Sequence, residues 1–288
     1  MKKNTYARRR SQRPYKMRPQ VKSVIARTAT MLIILCVLTA WGRWFRNETP
    51  GLAPDAGTAC LQYVSIPDSV PQEITEYTGF IVSFNSEFHI PNYSAWELTG
   101  VEADGALPRK SKFFQDNNVE GCPSLDDYRN SGFDRGHMAP AADMKWSEDA
   151  MADSHSLVNI CPQDHSVNGG VWSTLEKKCR NWAKRDSAIV IICGPVMSDV
   201  MPQSIGASGV KVPRRFFKVV LAPFVNPPRA IGFIVPNYAS PLSLDEMACT
   251  VDDVEAITGY DFFQCLPDSI ENEIESRANI RIWNKAKR

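Results

Sequence analysis

The chain has 288 residues, 43% of them hydrophobic and 23% charged, which supplies a sizeable core and excludes a wholly disordered chain. Its net charge of +1 hides an uneven spread: the twelve basic residues of 1–46 leave 21 of the 33 Lys/Arg to residues 47–288, against all 32 Asp/Glu, so that part carries −11. A body of that sign counts against a protein that coats nucleic acid with high affinity, but not strongly against an enzyme that needs only a local cationic cleft and a metal.

Residues 1–27 hold ten Lys/Arg and no acid, and an uncharged run of fifteen residues follows at 28–42, trailed by Trp44 and Phe45. Residues 28–45 are read as a transmembrane anchor or a cleaved signal segment. The uncharged run is short of the roughly 20 residues of a spanning helix, but its tryptophans extend it into the interface. Ala40-Trp41-Gly42 offers a signal-cleavage site. A buried core helix is the remaining alternative. With the basic head (1–27) on the cytoplasmic side, the body is expected on the periplasmic or extracellular side, membrane-anchored or secreted after cleavage. Residues 46–59, rich in Pro, Gly and small side chains, read as a linker.

Residues 60–288 are expected to form one domain. Strands are predicted at 74–83, 188–193, 216–222 and 230–235 from their bounded, β-branched runs. Residues 188–193 are apolar throughout, so that strand should be central and covered on both faces. Helices are predicted at 169–184, 243–258 and 269–287. The fold class is therefore α+β, a large, mostly antiparallel sheet with flanking helices. Of the seven cysteines beyond the apolar run, Cys249 and Cys265 flank a compact C-terminal segment and are expected to pair. Cys161 and Cys193 read as buried thiols.

The densest chemistry lies at 134–144, Asp-Arg-Gly-His-Met-Ala-Pro-Ala-Ala-Asp-Met, which sets the imidazole of His137 near the guanidinium of Arg135. Asn159-Ile-Cys-Pro-Gln163 follows, then Asn168-Gly-Gly-Val-Trp172 and Leu175-Glu176. Together they hold a base, a hard-cation ligand, a carboxylate and cations for a phosphate, the inventory of metal-assisted phosphodiester cleavage.

In order and type these residues resemble the DNA/RNA non-specific endonuclease family, the sugar-non-specific nucleases with a ββα-metal active site. Pro91-Asn-Tyr-Ser-Ala-Trp96-Glu-Leu-Thr99, Gly194-Pro195, Val212-Pro213 with Phe217-Lys218, and Gly232-Phe-Ile-Val-Pro-Asn237 fall where that family has similar segments. The likeness runs from roughly residue 60 to 265. It implies a ββα-metal nuclease domain, Mg2+ as cofactor with Mn2+ as a substitute, and DNA and RNA substrates, single- or double-stranded. It also implies 5′-phosphate products, and a homodimer is among the expected assemblies. Asn159 is expected on the second hairpin strand, tying the strand that carries His137 to the metal helix; it takes an active-site role by this likeness, with a structural role as the alternative. Arg135 resembles the family's arginine beside the base and is placed on phosphate, against a salt bridge to Asp134 or Asp143. Arg109, with Lys112 ahead of Phe113 and Asp116, falls near a phosphate-contacting arginine.

His137 is the candidate general base, since a neutral imidazole takes a proton from water near pH 7. The Pro140 carbonyl or a neighbouring backbone oxygen is expected to orient its ring. Asn168 is the candidate metal ligand, because an amide oxygen is a hard donor and Mg2+ keeps most of its waters; a helix cap is the other reading. On one helix Glu176 and Arg180 lie about 80° and 120° around the axis from Asn168, so all three can face one cleft. Glu176 would hold a metal-bound water, and Arg180 would contact the phosphate or the leaving group. An ordinary ion pair four residues apart is the alternative. His89, His155 and His165 are expected at the surface or in turns, and Trp172 in the core. Two other classes compete: an exported nucleic-acid-binding protein with this fold and no turnover, and a cysteine or serine hydrolase using His137 with Cys161 or Cys122.

Overall fold

The computed structural model describes residues 59–108 and 112–285. The basic head, the expected membrane segment, the linker up to residue 58 and Arg109 lie outside the described residues. Among the described residues no helix is long and apolar enough to cross a membrane.

The run 74–83, expected as one strand, folds back at Thr78-Gly79. Gly79 takes φ +85°, which favours glycine, and a side chain there would lie 2.7 Å from the Trp146 ring. The result is a hairpin of β1 (Glu73–Tyr77) and β2 (Phe80–Asn85), followed by β3 (Ile90–Thr99). β4 (Asp134–His137) and β5 (Ile160–Gln163) form a hairpin apart from the main sheet. β6 (Ala188–Pro195) follows, then the small pair β7 (Ser204–Ile205) and β8 (Val210–Lys211). β9 (Arg215–Ala222), β10 (Arg229–Pro236) and β11 (Ala248–Cys249) are the remaining strands. The main sheet runs β1-β2-β3-β6-β9-β10-β11, antiparallel at every pairing. β6 is its middle strand and is buried along its whole length, as its unbroken apolar run predicts.

Short helices α1 (Leu125–Tyr128) and α2 (Glu148–Asp153) lie either side of β4 in sequence. The predicted helix 169–184 is α3 (Ser173–Asp186), entered through a wide turn, Val167–Trp172, in which Gly170 leaves helical geometry. The predicted helix 243–258 shrinks to α4 (Val251–Thr258). A reciprocal cap between Thr250 and Asp253 sets its start, and Ala248–Cys249 are drawn into the sheet against β10. The stretch 269–287 divides into α5 (Asp268–Glu275) and α6 (Ile280–Asn284), broken where Asn279 turns to φ −136° and ψ 81°.

Strand alternation sends side chains to both faces of the sheet. Val82, Trp96, Ile191 and Phe233 pack with Leu175, Cys179 and Trp182 of α3 and with Met138 and Ile160 of the small hairpin. Ile81, Ile192 and Val219 pack on the other side with Val251 and Val254 of α4, Ile274 of α5 and Phe262. The small hairpin and α3 therefore share one face of the sheet. The expected Cys249–Cys265 disulfide does not form: Cys265 is bonded to Cys60, while Cys249 is held opposite Gly232 by strand pairing. Cys161 and Cys193 are fully buried thiols, as expected.

Candidate active site

In the small hairpin Asp134 pairs with Gln163, Arg135 with Pro162, Gly136 with Cys161 and His137 with Ile160. Gly136 makes this approach possible, since a Cβ there would lie 2.3 Å from Gln163 Oε1 and 2.6 Å from its Cβ. Residues 135 and 137 project from the same face of the strand. The His137 ring lies 5.1 Å from the Phe113 ring and edge-on to His155, also at 5.1 Å between centroids. Arg135 is exposed, its guanidinium 4.6 Å from the Phe113 centroid, and it makes no ion pair among the described residues. His155 corrects the sequence expectation: it is 1% exposed, with Nδ1 2.8 Å from the Met151 carbonyl. His165 is exposed beside Asp134, and His89 sits in a turn at φ 59°, both as expected.

Asn159 immediately precedes β5 and is fully buried. Its Oδ1 accepts from Ala139 N–H (2.9 Å) and from the Ser94 hydroxyl (2.8 Å), and its Nδ2 donates to the carbonyls of Ala139 (2.8 Å) and Ser154 (3.0 Å). Its backbone carbonyl accepts from Met138 N–H. Asn159 thus ties the segment after His137 to β3 through Ser94 and to the end of α2 through Ser154; none of these four bonds reaches the metal helix α3, so the expected tie to that helix is not made.

Asn168 stands in the wide turn ahead of α3, where its Nδ2 donates to Asp134 Oδ2 at 2.9 Å. The bond takes the amide nitrogen and leaves Oδ1, the hard donor, outside it. α3 has no side-chain cap, so Asn168 does not serve as one. Asn168, Asp134, Arg135 and Phe113 line a common cavity of about 560 Å3 with Tyr128, Arg129 and Phe133.

Further along α3, Glu176 is half-buried in the first turn. Arg180 donates to Asp143 Oδ1 at 2.6 Å, and Trp96 Nε1 donates to the other oxygen. Asp143 is fully buried, and burial pushes its carboxyl above the usual range although Arg180 and Lys218 pull the other way. Lys218 is also fully buried, its ammonium 4.2 Å from the Trp172 centroid and 5.5 Å from that of Trp96. Burial opposes its charge, but Cys193, Cys179, Glu176 and Asp143 raise its pKa on balance. Burial pushes both thiols up to about 12, so neither is a thiolate at neutral pH. Sequence reasoning quoted Lys218 only within a family segment; its signal was a lone cation inside the apolar run of β9.

Burial also pushes the Cys122 thiol up to about 11 and Cys161 well above its usual value. Neither is a thiolate near pH 7, which removes the nucleophile from the cysteine-hydrolase reading.

The description of the DNA/RNA non-specific endonuclease family matches residues 57–269. The chain belongs to that family. Its members are nucleases, hydrolases of nucleic acid, and the α+β architecture agrees. Human "Nuclease EXOG, mitochondrial" is 34% identical over 233 residues, covering 74% of this chain and 63% of its own length. The "Mitochondrial nuclease" of Saccharomyces cerevisiae is 33% identical, covering 70% and 69%. A "Nuclease" of Nostoc is 30% identical, covering 69% and 76%. A chain of the solved EndoG/EndoGI complex matches with a TM-score of 0.63 at 25% identity, over 69% of this chain and 88% of that one. This chain spans less than two thirds of the length of the EXOG relatives, 60% in zebrafish and 63% in human.

These relatives overturn the expected placement of a membrane-anchored or exported body, since the animal and yeast proteins are mitochondrial nucleases by name. The physical reason for the error is that a basic, acid-free head fits the positive-inside rule and an organelle-targeting leader alike. Charge does not choose between them.

Proposed function

We propose that the chain is a divalent-metal-dependent endonuclease that hydrolyses phosphodiester bonds of DNA and RNA, single- or double-stranded, with little base preference. The observation that carries this reading is the Asn168–Asp134 hydrogen bond. It fastens the candidate metal ligand to the strand that ends in His137.

The donor set fits a hard, largely hydrated cation. Asn168 offers one neutral oxygen, the Asp134 carboxylate is beside it, and no soft-metal cluster of Cys and His accompanies them among the described residues. Mg2+ is the proposed ion, with Mn2+ as substitute. Held there, it would neutralise charge on the phosphoryl oxygens and acidify a bound water. His137 takes the proton of the attacking water as its oxygen bonds to phosphorus. The bond to the 3′ oxygen breaks, leaving a 5′-phosphate and a 3′-hydroxyl protonated from solvent. Arg135, exposed and in no ion pair among the described residues, binds the phosphate. Glu176 orients the water beside the metal site. Arg180, anchored by Asp143, presents its remaining N–H donors to charge developing on the departing oxygen. Asn159 fixes the backbone behind the base and touches no substrate.

A plasmid-nicking assay on the purified chain, with EDTA and Mg2+ re-addition, tests this. His137→Ala should lose about 10²–10⁴-fold in rate with unchanged circular dichroism. A smaller loss, below about tenfold, would show that His137 is not the base. Binding without nicking in the parent would favour the non-catalytic protein of the same fold.

A further inference from the structure

Away from the nuclease site, three carboxylates converge between α4 and α5. Asp252 and Glu255 lie one turn apart on α4, Glu275 ends α5, and each offers an oxygen within 4.8 Å of the others. Among the described residues no other His, Cys, Asp or Glu group gathers in this way. Glu275 is the deciding member. It is 5% exposed and its Oε1 has no hydrogen-bond partner among the described residues, whereas buried carboxylates are as a rule paired or metal-bound. Burial first, then the like charges of Glu255, Glu271, Asp252 and Asp261, push its carboxyl up to about 9. Glu255 is already oriented, since Phe262 N–H donates to its Oε1 at 2.9 Å. Asp252 is exposed, so the cluster opens to solvent on that side.

We propose that Asp252, Glu255 and Glu275 form a structural divalent-cation site, for Ca2+ foremost, that is separate from the nuclease centre. Carboxylate oxygens with room for water suit Ca2+, which takes six to eight oxygens in flexible geometry, better than Mg2+, which demands a near-ideal octahedron. The ion offsets the repulsion among the carboxylates and cross-links two helices that cover the sheet's second face. The site stands or falls independently of the nuclease reading. Its competitor is a Glu275 that simply keeps its proton.

Thermal unfolding of the full chain, stripped with EDTA and titrated with Ca2+ at pH 7.5, separates the two. An Asn168→Ala background removes any contribution from the nuclease centre. The melting temperature should rise by roughly 5 °C or more at a Ca2+ concentration about 100-fold above the dissociation constant. Glu275→Gln and Glu255→Gln should each abolish the rise, and in the parent background both should keep full nicking activity in Mg2+. The absence of any rise with Ca2+, Mg2+ or Mn2+ would overturn the proposal. So would an undiminished rise in both variants.

Discussion

Replacing Asn159 by alanine asks whether this residue acts through the fold or on the reaction. The substitution leaves four groups without their partner in a dry interior: the Ala139 N–H, the carbonyls of Ala139 and Ser154, and the Ser94 hydroxyl. A buried polar group left unpaired costs about 1–3 kcal/mol. The hydroxyl can rotate and the carbonyls keep a second lone pair, so the sum is nearer two full penalties than four. That places the loss at about 3–5 kcal/mol, in the severe tail of single substitutions. For a domain of this size it corresponds to a fall of roughly 6–20 °C in melting temperature. Urea denaturation and thermal scans would read it directly. Asn159→Asp should not rescue, because it keeps the acceptors, loses both donors and buries a charge. If Asn159→Ala melted within about 2 °C of the parent while nicking collapsed, the residue would be acting on substrate or metal, and the positioning argument would be wrong.

Asn168→Ala should raise the Mg2+ concentration needed for half-maximal nicking and lower the rate at saturation; a Mg2+ titration identical to the parent would place the ion elsewhere. Gly136→Ala drives a methyl group against Gln163 and should cost about 1–3 kcal/mol by overpacking, with nicking reduced as the hairpin shifts; unchanged stability and activity would contradict the register described. Glu275 binds its proton more tightly folded (about 9) than its ordinary value of 4.5, so its stabilising contribution is full below pH 4.5 and is lost as pH rises through about 9. In EDTA the parent should therefore lose stability relative to Glu275→Gln across that window, and parallel pH profiles would refute it.

How much could be read in the sequence depended on where each signal lay. β6 was plain because a strand covered on both faces needs apolar residues throughout. β4 and β5 could be read as a hairpin only through the family resemblance, since Asp-Arg-Gly-His has no apolar alternation to mark a strand. The turn at Gly79 was hidden inside a β-branched run that looked continuous, and the start of α4 lay in the Thr250/Asp253 pair, which went unused. His137, Asn168, Glu176 and Arg180 could be nominated from residue type and spacing, and Arg135 only through the family resemblance. The sequence could not show that Asp134 grips Asn168, or that Arg180 is anchored on Asp143, because those partners are 34 and 37 residues apart. Nothing in the sequence marks His155, because what distinguishes it is its edge against the His137 ring, a relation of space alone. The disulfide failed for the same reason: Cys60 and Cys265 are 205 residues apart in sequence.

That disulfide gives the molecule two mechanically unlike ends. The sulfur bridge closes everything from β1 to α4 into a covalent ring, with α5 and α6 hanging outside it. Tension on the chain ahead of Cys60 passes through the bridge and bypasses β1, the edge strand that would otherwise unzip from β2 one pair at a time. Tension from the C-terminal side reaches α6 and α5 first and strips Trp283 and Ile274 from their packing before the ring bears any load. A machine that threads and unfolds the oxidised chain would meet a locked end and a peelable one, so its speed should depend on which end it grips.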